Sequence, residues 1–102
     1  MVNTNLNKLS KDFYDFTVNK MGWNRDWLHG GCYLHLESSE FIEALRGKGD
    51  PIEELGDVLL VLLSVAYHYK LDIGAAIEKI YEKIDIINSE GIDKYVESKR
   101  SE

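Results

Sequence analysis

Cysteine is almost missing from this chain: Cys32 is the only one in 102 residues. A single thiol excludes an internal disulfide, and such a chain is expected in a reducing, intracellular compartment. Long hydrophobic runs are missing too. The longest, Val58 to Leu63 and on through Ser64 to Tyr67, is far short of the ~20 residues of a membrane span. The start, Met1 to Asn5, lacks the basic-then-apolar layout of a signal peptide. A cytoplasmic protein with no membrane partner is expected. Basic charge is scarce: 12 Lys and Arg stand against 18 Asp and Glu, for a net charge of −6. Nucleic acid is therefore excluded as the main partner, because basic contacts to phosphate dominate such binding. A single small polyanion held through a metal ion is compatible with that charge. No internal repeat, low-complexity linker or sustained strand pattern is present.

What is present is helical. Apolar content of 44% and charged content of 29% are those of a globular domain. The expectation is one all-α domain over residues 1–92, with 93–102 a polar, frayed tail. Leu6, Leu9, Phe13 and Phe16 repeat every three or four residues, so a first helix runs from about Asn5 to Met21. Gly22 and the Trp23–Gly31 stretch interrupt it. A second helix, from about Gly31, carries Leu34, Phe41, Ile42 and Leu45 and stops at the glycines of Arg46-Gly47-Lys48-Gly49. Asp50-Pro51-Ile52-Glu53 then reads as a helix start: an N-cap, proline at the first helical position, and Glu53 placed for a capping box. This third helix runs to about Lys70. A fourth starts at Asp72, aligns Ile73, Ile77, Ile80, Ile84 and Ile87, and stops at Gly91. Between Val58 and Ala66 the third helix is apolar nearly all round, the mark of a helix buried on most sides. Four helices in so short a chain can hardly cover it, so homo-oligomerisation, a dimer at least, is expected to complete the bundle.

The chemistry lies in four acids. Glu37 and Glu40 are three apart, as are Glu54 and Asp57. Residues three apart share a helix face, so each pair aims two carboxylates at one point. Thirteen residues separate Glu40 from Glu54. That is enough for the end of one helix, a glycine-rich turn and the first turn of the next. An antiparallel hairpin of this kind brings the pairs face to face. Four converging carboxylates suit a hard divalent cation such as Mg²⁺. Asp57 also abuts the apolar Val58–Leu63 run, where an unpaired carboxylate is costly. Taken singly, such pairs on helices are ordinary solvated faces; the specificity lies in the combination.

Leu36-Glu37-Ser38-Ser39-Glu40-Phe41, followed by Glu54-Leu55-Gly56-Asp57-Val58-Leu59-Leu60, resembles the signature of the MazG-like all-α nucleoside triphosphate pyrophosphatases. That signature is two adjacent glutamates, a third glutamate three residues after the second, a variable gap, and Glu-x-x-Asp. The resemblance covers about Leu34 to Val65, roughly a third of the chain. It implies a four-helix MazG-like bundle in which Glu37, Glu40, Glu54 and Asp57 coordinate Mg²⁺ as the catalytic and metal-binding set. It further implies hydrolysis of a (d)NTP between the α- and β-phosphates, with house-cleaning of the nucleotide pool as the role. One position departs: the first glutamate of the signature is Leu36 here. Lys83 falls where related enzymes place a lysine that contacts phosphate, and Lys79, one turn earlier, is a second candidate. Asn88 nearly matches a family asparagine but lies one residue too far from Lys83. Trp23, Trp27 and His29 resemble in spacing a tryptophan and histidine region of the family, where an indole can stack on a base.

Each of these residues has a plainer role open to it. Lysines on an acidic helix are usually surface, and Trp23 and Trp27 can pack the core or a subunit interface. His35 points off the Glu37 face, and His68, in Tyr67-His68-Tyr69, reads as structural. Arg46-Gly47-Lys48-Gly49 reads as a helix stop and lacks P-loop spacing. Glu43 and Glu53 lie near enough to orient a water but read as solvated. Two other functions fit less well. A ferritin-type di-metal site needs Glu-x-x-His motifs on facing helices, and none of His29, His35 or His68 follows a glutamate at that spacing. A non-catalytic oligomeric helical module derived from the same family is the alternative that Leu36 keeps open, and the two retained acid pairs count against it.

Overall fold

Helical capping and small-residue packing organise the computed structural model, which describes residues 5–22 and 27–100, the side chains of 27–32 excepted. Its described residues form five helices and no strand: α1 Leu6–Asn19, α2 Trp27–Leu45, α3 Pro51–His68, α4 Ile73–Glu90 and α5 Ile92–Arg100. They fall into two compact units, Met1–Asp72 and Ile73–Glu102.

The first unit is α1, α2 and α3, with α3 packed on both of the others. Asn5 caps α1, its side chain accepting from the Lys8 N–H at 3.2 Å. Lys8–Asp12 and Lys11–Asp15, at 2.8 and 2.7 Å, brace the solvent side of α1 at i,i+4 spacing. α2 begins at Trp27, one turn earlier than the sequence reading near Gly31. The glycines there do not prevent a helix, because two glycines cost only ~1 kcal/mol each in a long helix. The end of α2 follows the sequence. Gly47 takes φ +92°, and Lys48 N–H reaches back to the Glu43 carbonyl at 3.1 Å. This is the left-handed turn that glycine permits. Asp50 then caps α3 by accepting from Ile52 N–H at 3.0 Å, with Pro51 in the first turn. α3 closes through a similar turn with Lys70 at φ +57° and Leu71 N–H bonded to the Ala66 carbonyl at 2.9 Å.

The core of this unit is built from small side chains. Ala44 of α2 and Val61, Leu63 and Ala66 of α3 are buried, and the fully buried polar residues are Ser10, Thr17 and Ser64. Ser10 and Thr17 are seven apart, so they share one face of α1. The Ser10 hydroxyl donates to the Leu63 carbonyl and that of Thr17 to the Tyr14 carbonyl. Small residues let α1 lie close on α3, and these bonds offset the desolvation of the Ser10 and Thr17 hydroxyls. At the C-terminal end of α3, Tyr67 packs on Tyr14 at a ring distance of 4.9 Å.

The all-round burial expected of Val58–Ala66 is only half realised. Val61, Leu63 and Ala66 are buried, whereas Leu59 and Leu62 are 42% and 44% exposed. With Ile52 and Leu55, also exposed, they recur every three or four residues along one side of α3.

The second unit is α4 packed on α5. Here the sequence reading needs correcting. The stretch expected to be a frayed tail is the helix α5, separated from α4 by Gly91 at φ +90°. Ile92, Tyr95 and Val96 repeat at helical spacing. Asp93 in the first turn and Lys99 and Arg100 in the last complement the helix dipole. Among the described residues, no single helix is long and apolar enough to cross a membrane.

Candidate metal centre

The α2–α3 hairpin brings three of the four acids together. Glu37 lies midway along α2, and Glu54 and Asp57 lie in the first two turns of α3. One oxygen from each of these three carboxylates lies within 4.8 Å of the others, and all three residues are half-buried. Opposed ligands around a cation with metal–oxygen distances of roughly 2.0–2.6 Å are themselves about 4–5 Å apart. The cluster is therefore of the right size to share one ion.

Glu40 is placed differently. It is exposed and stands outside the three-oxygen set. Its carboxyl is nonetheless close enough to hydrogen-bond with Glu37 or Glu54 when one of them is protonated. It occupies the rim of the cluster rather than its centre.

The cluster is electrostatically unhappy as it stands. Burial, then the charge of Glu40, raises the Glu37 carboxyl above the ordinary glutamate value, with Asp57 and Glu54 adding to the effect. Glu54 is raised in the same way, by burial first and then by Glu40, Asp57 and Glu53. One oxygen of Glu37 and one of Glu54 are shielded from solvent and have no hydrogen-bond partner among the described residues. Shielded carboxylate oxygens without donors are costly. A divalent cation would satisfy both and offset the repulsion, so the donor set fits Mg²⁺ or a similar hard ion.

Of the other residues singled out from the sequence, Lys79 and Lys83 lie on α4 in the second unit, where both line one cavity. Trp23 and the side chains of Trp27 and His29 lie outside the described residues. His35 and Asn88 are exposed. His68 lies against Tyr69, edge to face at 5.0 Å, in the aromatic group at the end of α3. Glu43 is occupied, accepting from Arg46 at 2.8 Å and facing Lys48 at 3.6 Å. Arg46-Gly47-Lys48-Gly49 is thus tied to the helix stop. Sequence reasoning overlooked Tyr95 and Lys99, which line the Lys79–Lys83 cavity. Their signal was the three-and-four spacing of Ile92, Tyr95, Val96 and Lys99.

Comparison with curated proteins and with solved structures returned no match. Comparison with protein families matched the MazG nucleotide pyrophosphohydrolase domain over residues 31–86, a stretch that contains all four acids together with Lys79 and Lys83. The match spans more than half of the chain and takes in α2 from Gly31 onward and the whole of α3. The chain belongs to the MazG nucleotide pyrophosphohydrolase family.

Proposed function

We propose that the protein is a Mg²⁺-dependent nucleoside triphosphate pyrophosphohydrolase that cleaves a (d)NTP between the α- and β-phosphates. The observation that carries this reading is the convergence of Glu37, Glu54 and Asp57, with two shielded oxygens lacking donors, in a chain of this family. Those three carboxylates hold the ion, with Glu40 at its edge. When bound, Mg²⁺ offsets triphosphate charge and makes a bound water more acidic. Glu40, exposed and beside both Glu37 and Glu54, orients the attacking water and accepts its proton. Glu43 is unsuited to that task because Arg46 and Lys48 already engage it. Water oxygen bonds to the α-phosphorus as the bond from that phosphorus to the bridging oxygen breaks, and pyrophosphate leaves with the electron pair. House-cleaning of the nucleotide pool, in the cytoplasm, is the role this reading favours.

The protein is further proposed to work as a homo-oligomer. The exposed apolar side of α3, Ile52, Leu55, Leu59 and Leu62, supports a second copy as its cover. Turnover of a panel of NTPs and dNTPs with Mg²⁺, scored for pyrophosphate against orthophosphate, tests the activity. Pyrophosphate with a nucleoside monophosphate is the expected product pair. Orthophosphate as the first product would refute α–β cleavage.

A further inference from the structure

The start of α1 and the end of α3, with the turn that follows it, border a cavity of about 450 Å³ lined among others by Ser10, Tyr14, Tyr67, His68, Lys70 and Asp72. That is within the ~300–1,000 Å³ of ligand sites. Every lining residue belongs to the first unit. None of Glu37, Glu40, Glu54 and Asp57 lines it. Asp57 and Tyr67 are ten residues apart on α3, about 15 Å along the helix.

The cavity grades from a buried polar floor to a charged rim. Ser10 is 2% exposed, and its hydroxyl donates its proton to the Leu63 carbonyl. Toward the cavity that oxygen can only accept, so it suits an N–H or O–H on a ligand. Tyr14 and His68 are half-buried, their ring centroids 6.0 Å apart, and Tyr67 stands 4.9 Å from Tyr14. Such a wall suits a further aromatic ring, since rings pair favourably at these distances. At the rim, Lys70 and Asp72 are exposed and of opposite charge. The Asn7 amide donates to Asp72 at 3.2 Å, which orients that carboxylate without removing its charge. Lys70 also breaks a pattern. Gly22, Gly47 and Gly91 supply the positive φ after α1, α2 and α4, whereas α3 is followed by Lys70 at φ +57°. A lysine kept in that costly region points to a use for its side chain.

We propose that this cavity binds a free aromatic α-amino acid whose ring carries a hydrogen-bond donor, of the tryptophan or tyrosine kind. The ring N–H or O–H donates to Ser10 at the floor, and the ring lies against Tyr14, Tyr67 and His68. The carboxylate faces Lys70 and the ammonium faces Asp72. A simple anion or cation at this rim would meet one like charge for each opposite one, and a zwitterion matches both. The site is separate from the acid centre, and the inference does not depend on turnover.

Calorimetric titration of the full chain with millimolar L-tryptophan tests it. Saturable binding of one molecule per chain is expected. Tryptophan methylated on the indole nitrogen lacks the ring donor, tryptamine lacks the carboxylate, and indolepropionate lacks the ammonium. Each should bind about tenfold more weakly, the scale of one hydrogen bond. Adenosine, a ring without a zwitterion, should also bind more weakly. Ser10→Ala should bind tryptophan and its indole-methylated form alike. Lys70→Gln and Lys70→Gly should each weaken tryptophan about tenfold. Glycine suits the left-handed backbone, so a loss in Lys70→Gly is not one of folding. Lys20→Gln, which removes the same charge from the exposed end of α1, should leave binding unchanged. If Ser10→Ala does not fold, the ligand series and the Lys70 variants decide. No saturable binding, tryptamine or indolepropionate as tight as tryptophan, or adenosine tighter than tryptophan would overturn the proposal. So would a folded Ser10→Ala that keeps the preference for the free indole N–H, or equal losses in Lys20→Gln and Lys70→Gln.

Discussion

Replacing Asp57 by asparagine should stabilise the metal-free protein while cutting most of its response to Mg²⁺. Oxygens of Asp57 and Glu37 lie within 4.8 Å of each other. Unit charges at that separation repel by about 1 kcal/mol in water and about 3.5 kcal/mol at an effective dielectric constant of 20. Both residues are only half-buried, so solvent screening holds the value near the lower figure. Asp57→Asn should therefore gain on the order of 1 kcal/mol in EDTA, a rise of about 4–8 °C in Tm for a chain of this size. The wild-type protein gains by binding: at a metal concentration of about 100 times Kd the stabilisation is ~2.7 kcal/mol. A site weakened a hundredfold by loss of one carboxylate would gain only about 0.4 kcal/mol at the same concentration. Thermal unfolding by circular dichroism, in EDTA and in magnesium chloride at matched ionic strength, reads both quantities. The order of melting should invert, with the variant above wild type in EDTA and below it in Mg²⁺. A variant that melts below wild type in EDTA, or that keeps the full Mg²⁺ shift, would refute the reasoning.

Three further outcomes follow from the same geometry. The raised carboxyls of Glu37 and Glu54 mean that the native state holds more protons than the unfolded chain just above the ordinary glutamate pKa. Their contribution to metal-free stability thus falls as pH rises through that window. Tm of Glu37→Gln relative to wild type should accordingly increase from about pH 4.5 to pH 7, and a flat or opposite difference would contradict it. Gly56 lies within α3 between the two acids, and a Cβ added there meets nothing within 4 Å. Gly56→Ala should stabilise by about 0.5–1 kcal/mol in chemical denaturation; loss of turnover in such a stabilised variant would show that a ligand or partner approaches the backbone there. Leu59→Glu places a charge on the exposed side of α3, so light scattering should find wild type larger than one chain and the variant reduced to it. A monomeric wild type at micromolar concentration would count against the oligomer.

Much of the hairpin is written locally. Asp50-Pro51 and Gly47 act on their own turns through capping and backbone freedom, so the stop of α2 and the start of α3 are legible from a few residues. The three-residue spacing of the acids likewise fixes which of them share a face before any tertiary contact forms. The tail was misread because polar composition says little about helicity: Ile92, Tyr95 and Val96 recur at helical spacing, and α5 packs on α4. The start of α2 was misplaced for a related reason: glycine lowers helix propensity without forbidding a helix.

The sequence by itself determined the all-α class, the α2–α3 hairpin and the identity of its acids, because helix periodicity and capping are properties of neighbours along the chain. Only the tertiary structure decided that Glu37, Glu54 and Asp57 form the centre while Glu40 sits at its rim. It alone gathered Lys79, Lys83 and Lys99 around one cavity. Those outcomes depend on how two helices approach and rotate against each other, and that is set by packing of residues far apart in the sequence.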